Sequence, residues 1–135
     1  MKLFKKMLVI DSNPNNILKV ETYLQNIKNE HIDLSERYAD ILISLTEAVN
    51  NAIIHGNKAD ERKKVRINMQ QSLREFAVSV SDEGAGFDPD DIPDPTKPEN
   101  LECCGGRGVM IMTSLADKLF YRNNGSTVEM IFNIS

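Results

Sequence analysis

Three observations predict an α+β fold built as a two-layer sandwich. The elements come in the order strand, two helices, two strands, loop, helix, two strands, and runs of strands set apart by paired helices suit a sheet with helices packed on it. The strand segments alternate apolar and polar residues, as half-buried strands do. The chain has 135 residues, 41% of them hydrophobic and 27% charged, enough for one core without covalent staples. Regular crossovers of a parallel sheet are not indicated, and a single domain over residues 1–135 is expected.

Phe4–Ile10 reads as the first strand. Ser12-Asn13-Pro14 then opens a helix, with Ser12 or Asn13 as cap and proline in the first turn. That helix is expected from about Pro14 to Lys28, with Ile17, Val20, Leu24 and Ile27 as its apolar stripe. After the polar break Asn29–Ile32, a longer helix should run from Asp33 or Leu34 to His55 and end on Gly56 as C-cap. Asn57–Lys64 is polar and charged, a surface loop. Val65–Gln70 and Glu75–Ser81 form an antiparallel pair, with Leu73 near the turn. Residues 84–105 carry Pro89, Pro93, Pro95 and Pro98 and show no helical or strand period. A structureless loop of about twenty residues inside a compact domain is usually functional or disordered. A short helix near Val109–Leu115 follows. Two closing strands, near Lys118–Arg122 and Thr127–Asn133, join through Asn123-Asn124-Gly125-Ser126, a hairpin signal.

Composition narrows the function. The net charge is −4 and no basic stripe appears, so the electrostatic footprint of nucleic-acid binding is missing. No run approaches the ~20 apolar residues of a membrane span. The basic start, residues 1–6, leads into an apolar run at 7–10 that is too short for a secretory signal, which makes a cytoplasmic location the expectation. Cys103 and Cys104 are adjacent, a poor arrangement for a mutual bridge or a metal site, and read as small fillers in a reduced protein.

Three segments carry chemistry. In Glu47-Ala48-Val49-Asn50-Asn51-Ala52-Ile53-Ile54-His55-Gly56, the helical turn of about 100° per residue gathers Ile41, Leu45, Ala48, Val49, Ala52 and Ile53 on one side. Glu47 and Asn51, one turn apart, project from the other side with Asn50 beside them. Carboxylate and amide oxygens suit magnesium, and a carboxylate can act as general base. Taken alone, the segment also fits an ordinary solvated helix edge. Asp82 shares strand parity with Phe76, Val78 and Val80, which puts a carboxylate at the inner edge of the sheet, where it needs a donor. In a nucleotide site that donor is the amino group of adenine; the competing reading is a backbone N–H in the turn Glu83-Gly84-Ala85-Gly86. Gly84 and Gly86 permit a tight turn and close approach of a flat ring. Gly105-Gly106-Arg107-Gly108 opens the short helix, where uncrowded N–H groups make a phosphate seat, and Arg107 is either a phosphate partner or a surface arginine. The loop between is acidic, with Asp88, Asp90, Asp91, Asp94, Glu99 and Glu102 against Lys97. It is expected to act as a lid that contacts a nucleotide through its stem.

The order and separation of these three segments resemble those of the histidine-kinase-like ATPase domains of gyrase, Hsp90, histidine kinases and MutL (the GHKL or Bergerat fold). Within that superfamily the chain looks most like the anti-sigma-factor serine kinases of the RsbW and SpoIIAB type, over nearly its whole length. The resemblance implies a mixed, mostly antiparallel sheet covered on one face by helices, with an ATP lid at about 84–108. It implies ATP and Mg2+ as cofactors, Glu47 as the general base and Asn51 as the magnesium ligand. Asp82 would bind the adenine amino group, and Gly84 and Gly86 would shape the purine pocket. Asn50, Gly105, Gly106, Arg107 and Gly108 complete the expected nucleotide contacts, and Thr127 would help bind adenine through water. It further implies transfer of phosphate to a serine of a STAS-domain antagonist, a sigma factor as the other partner, and a homodimer or partner face near Pro14–Lys28. The chain departs from the pattern at Cys103-Cys104, where family kinases often carry an arginine. That departure keeps a second reading open, a nucleotide-dependent partner switch with little phosphotransfer, beside a third in which Glu47 directs water. The opening around Lys6–Pro14 resembles a response-regulator receiver, but the residues a receiver needs further on are missing.

Overall fold

The computed structural model describes residues 2–30, 34–84 and 106–134, with side chains at all of these except 2, 3, 106–110 and 124. The elements are β1 (Lys2–Asp11), α1 (Ile17–Glu30), α2 (Tyr38–Asn51), β2 (Lys64–Ser72), β3 (Glu75–Ser81), α3 (Gly106–Leu115), β4 (Lys118–Arg122) and β5 (Thr127–Asn133). The strands form one sheet in the order β1-β2-β3-β5-β4. Every pairing among the described residues is antiparallel, including that of β1 with β2 across the two intervening helices.

One sheet face makes the core. Phe76, Val78 and Val80 of β3 stand opposite Phe132, Met130 and Val128 of β5, and all six are buried. The helices close over them: Val20, Leu24 and Ile27 come from α1, Ile41, Leu45, Ala48 and Val49 from α2, and Met112 from α3. Each large apolar side chain buried this way contributes about 1.5–3 kcal/mol before entropy is counted. The expected stripe of α1 holds, with Ile17 at its partly buried end. Met7, Val9 and Phe120 remain exposed on the strands. No helix among the described residues is long and apolar enough to cross a membrane.

Three local expectations change, and one open choice is decided. The first concerns the start of α2, which lies at Tyr38 rather than at residue 33 or 34. Leu34 is fully buried, and the chain turns there, Arg37 N donating to Leu34 O at 3.1 Å. The second concerns its end. After Asn51 the helix widens into a π turn, Ala52–Gly56, closed by Asn57 N donating to Ala52 O at 2.8 Å. Such π turns recur at functional sites. Gly56 is therefore not a left-handed cap; the left-handed residues are Lys58 (φ 55°) and Ala59 (φ 56°). Third, the surface loop 57–64 contains a residue that is not on the surface, since Asn57 is 0% exposed. The open choice is the cap before α1: of Ser12 and Asn13 it is Asn13, whose Oδ1 accepts from Asn15 N at 2.9 Å and starts a 3-10 turn at Pro14–Asn16. Ser12 is buried and donates to Lys63 O at 2.8 Å.

Candidate functional site

Two of the three expected segments meet at the end of β3. Ser81 closes the strand beside Thr127, and Asp82 N donates to Ser126 O at 2.9 Å, so the chain leaves the sheet with Asp82 half-buried. Its Oδ1 accepts from Gly84 N at 2.8 Å. That bond supplies the backbone donor which the sequence left as one alternative, but it uses only one carboxylate oxygen. Oδ2 accepts no hydrogen bond from a described residue; it lies against Gly56 instead, and a Cβ on Gly56 would land on the carboxylate. A Cβ on Gly84 would likewise overlap Gly56 O. The two glycines thus let the end of the π turn and the end of β3 touch through bare backbone, with an acid between them. Burial pushes the Asp82 carboxyl up, against the opposing pull of the Gly84 N–H and of nearby Lys63. A half-satisfied carboxylate in such a niche suits a small planar donor such as an aromatic amine.

Along α2, Glu47, Asn50 and Asn51 are half-buried. Among the described residues, the side chains of these three have no hydrogen-bond or ion-pair partner, although each carries strong acceptors. Their neighbours on the other side of the helix, Ile41, Leu45, Ala48 and Val49, are in the core, so the polar row is held in place by apolar packing behind it. Ser44, also buried, carries a hydroxyl without a partner among the described residues.

The third segment lies partly outside the described residues: Gly86, Gly105, Cys103, Cys104 and the acidic loop belong to that part. Gly106, Arg107 and Gly108 form the first turn of α3, which packs against α2. Free N–H groups of a helix start are therefore carried on the element next to Glu47 and Asn51. Thr127 is 7% exposed, its Oγ1 lying 2.9 Å from Ser81 Oγ and accepting from Asn123 Nδ2 at 3.2 Å. It stands opposite the residue that precedes Asp82. Among the described residues, no group of three or more His, Cys, Asp or Glu side chains is placed to hold a metal. A cation at Asn51 would have to share its ligands with phosphate oxygens and water, as magnesium commonly does.

Sequence reasoning missed Asn57 and Arg37. Asn57 is buried beside the Asp82 niche, its Oδ1 accepting from Glu83 N at 2.8 Å. Arg37 gathers Asp40, Asp117 and the carbonyls of Leu115 and Asn133 at the far end of α2. Neither belongs to a short motif, because their partners lie up to 96 positions away in the chain.

The histidine kinase-like ATPase domain family matches residues 10–132. An anti-sigma F factor of Clostridium perfringens strain SM101 is 35% identical over 102 residues, covering 70% of this chain and 71% of the relative. The serine/threonine-protein kinase BtrW of Bordetella bronchiseptica is 29% identical over 69% of this chain and 70% of its own length. The serine-protein kinase RsbW of Bacillus subtilis is 33% identical over 67% of this chain and 61% of its own. With the antiparallel sheet and the helical layer over it, the chain belongs to the histidine kinase-like ATPase domain family, in the group of RsbW and the anti-sigma F factors.

Proposed function

We propose that this chain binds Mg-ATP between α2 and the segment 82–108 and works as an anti-sigma regulatory factor with protein-serine kinase activity, in the cytoplasm. The carrying observation is the pair Glu47 and Asn51, one helical turn apart, half-buried and unpartnered among the described residues, on the helix whose end touches Asp82. The second oxygen of Asp82 would take the amino group of adenine, with Gly56 and Gly84 letting the two backbones close against that carboxylate and Thr127 assisting through water. Asn50 and the first turn of α3, Gly106-Arg107-Gly108, would support the phosphates. Asn51 would ligate magnesium through its amide oxygen. Magnesium, when bound, would neutralise charge on the transferring phosphoryl group. Glu47 would accept the proton of a serine hydroxyl as its oxygen bonds to the γ-phosphorus and the bond to the β-phosphate oxygen breaks, leaving ADP. The phosphate acceptor would be a STAS-domain antagonist, and the released partner a sigma factor.

The test is incubation with Mg-ATP and the STAS partner. Phosphoserine should form, and Glu47→Gln should reduce its formation by about 100-fold or more while ATP still binds. No transfer from the wild-type protein would rule the kinase reading out. The pair Cys103-Cys104, standing in the sequence where family kinases often carry an arginine, favours a second reading, a partner switch with negligible catalysis, since phosphoryl transfer leans on cationic charge at the γ-phosphate. On that reading ATP changes partner affinity without being consumed, and measurable turnover would defeat it.

A further inference from the structure

We infer that Asn57 is a positioning residue for the adenine end of the site: its buried amide sets the turn Asp82-Glu83-Gly84 against the end of α2. This rests on the ATP reading above. Asn57 is 0% exposed, and both ends of its amide are hydrogen-bonded. Nδ2 donates to Ser12 Oγ at 2.8 Å and to Lys64 O at 3.0 Å, while Oδ1 accepts from Glu83 N at 2.8 Å. The orientation of the amide is forced by its partners. Lys64 O can only accept, Glu83 N can only donate, and Ser12 Oγ spends its own proton on Lys63 O. One side chain therefore joins the end of β1, the start of β2 and the exit of β3 to the π turn.

The Glu83 bond is what concerns the nucleotide. Glu83 lies between Asp82, one of whose carboxylate oxygens has no donor among the described residues, and Gly84, whose N–H occupies the other oxygen. Gly56, in bare contact with both Asp82 and Gly84, is the residue before Asn57. The niche has glycine on two sides and hence no side chain to fix its width. Asn57 fixes it instead, by an acceptor on one arm reaching a donor on the other. Since the adenine partner is a single carboxylate oxygen, its placement decides whether a 6-amino group is preferred to a 6-oxo group, and small displacements in such sites are expensive.

The inference separates two halves of one amide. Asn57→Asp keeps the acceptor for Glu83 and loses the donors; Asn57→Ala loses both; Ser12→Ala removes only a partner on the far side. The readout is the ratio of GDP to ADP dissociation constants, measured by calorimetry with magnesium at a temperature where circular dichroism shows each variant folded. All three should melt below wild type. The ratio should fall about tenfold or more in Asn57→Ala and stay within about twofold of wild type in Asn57→Asp and Ser12→Ala. A merely structural amide would lower the melting temperature of Asn57→Ala and leave the ratio unchanged, which would overturn the inference. Wild-type protein offers an arm that requires no variant: the Glu83 amide should exchange slowly with solvent, and more slowly with ADP bound, whereas rapid exchange in both states would overturn it. Should wild type fail to prefer ADP to GDP, the ATP reading itself falls, a result distinct from either outcome for Asn57.

Discussion

Asp82 concentrates the tension between folding and binding at one residue. Its carboxylate is pressed against Gly56 and, among the described residues, is satisfied on one oxygen only, and burial has raised its pKa. A carboxyl raised in the fold contributes stability while protonated, below its unfolded value, and loses that contribution as pH rises through the folded value. At neutral pH the ionised group therefore opposes the fold. Asp82→Asn keeps an oxygen for the Gly84 N–H and removes the charge, so the free protein should gain stability and melt at a higher Tm than wild type. Differential scanning calorimetry reads that gain. The same variant should bind ADP at least about tenfold more weakly, because the amide's donor half now competes for the position that accepts from adenine. Equal or lower Tm with unchanged affinity would mean that the niche is not a binding niche.

At the scale of elements, much was legible and the misses share a cause. β3, β4 and β5 fall where alternation and the Asn-Asn-Gly-Ser turn put them, because strand parity and turn chemistry are local. The apolar side of α2 is likewise local, and Ile41, Leu45, Ala48, Val49, Ala52 and Ile53 are all buried. The start of α2 and the role of Gly56 were not legible, since contacts from distant parts of the chain decide both. Arg37 stands before α2 and spends its guanidinium on Asp40 at 3.2 Å, Asp117 at 2.9 Å, Asn133 O at 2.7 Å and Leu115 O at 2.9 Å. It also lies over the Phe132 ring, 5.5 Å from its centroid. One fork so ties α2 to the end of α3, to the residue before β4 and to the end of β5. Arg37→Ala should cost about 2–3 kcal/mol in urea unfolding, since two carbonyls and two carboxylates lose a charged donor together. Arg37→Lys should recover less than half of that, because an ammonium cannot meet four acceptors spread around a plane. Recovery to wild-type stability by lysine would reduce the fork to a simple charge.

Across the whole molecule, α2 is pinned at both ends by polar fastenings on opposite edges of the sandwich. Glu75 pairs with Asn133 at one end of β3 and Ser81 with Thr127 at the other, so the Arg37 clasp and the Asn57 junction sit a strand length apart. The two ends answer acid differently. Asp117 is held below its ordinary value of 3.8, first by the N–H of Asn133 and then by the guanidinium of Arg37. A depressed carboxyl gives stability that is complete above the unfolded value and is lost as pH falls through the folded one. Asp82 has the opposite displacement, above 3.8. On acidification the nucleotide end must therefore change first, while the clasp still holds. Thermal melts in a pH series, with and without ADP, should show the ADP-induced rise in Tm shrinking before the Tm of the free protein begins to drop. Protonation of the ADP phosphates also weakens binding, so the quantity to follow is the difference between wild type and Asp82→Asn, which share that effect. That difference should close as pH falls toward 3.8, and Asp117→Asn should leave its course unchanged while lowering the free protein's Tm at neutral pH and flattening its acid limb. If the free protein loses stability before the ADP effect shrinks, the two ends are not independent and the order of events drawn from the carboxyl displacements is wrong.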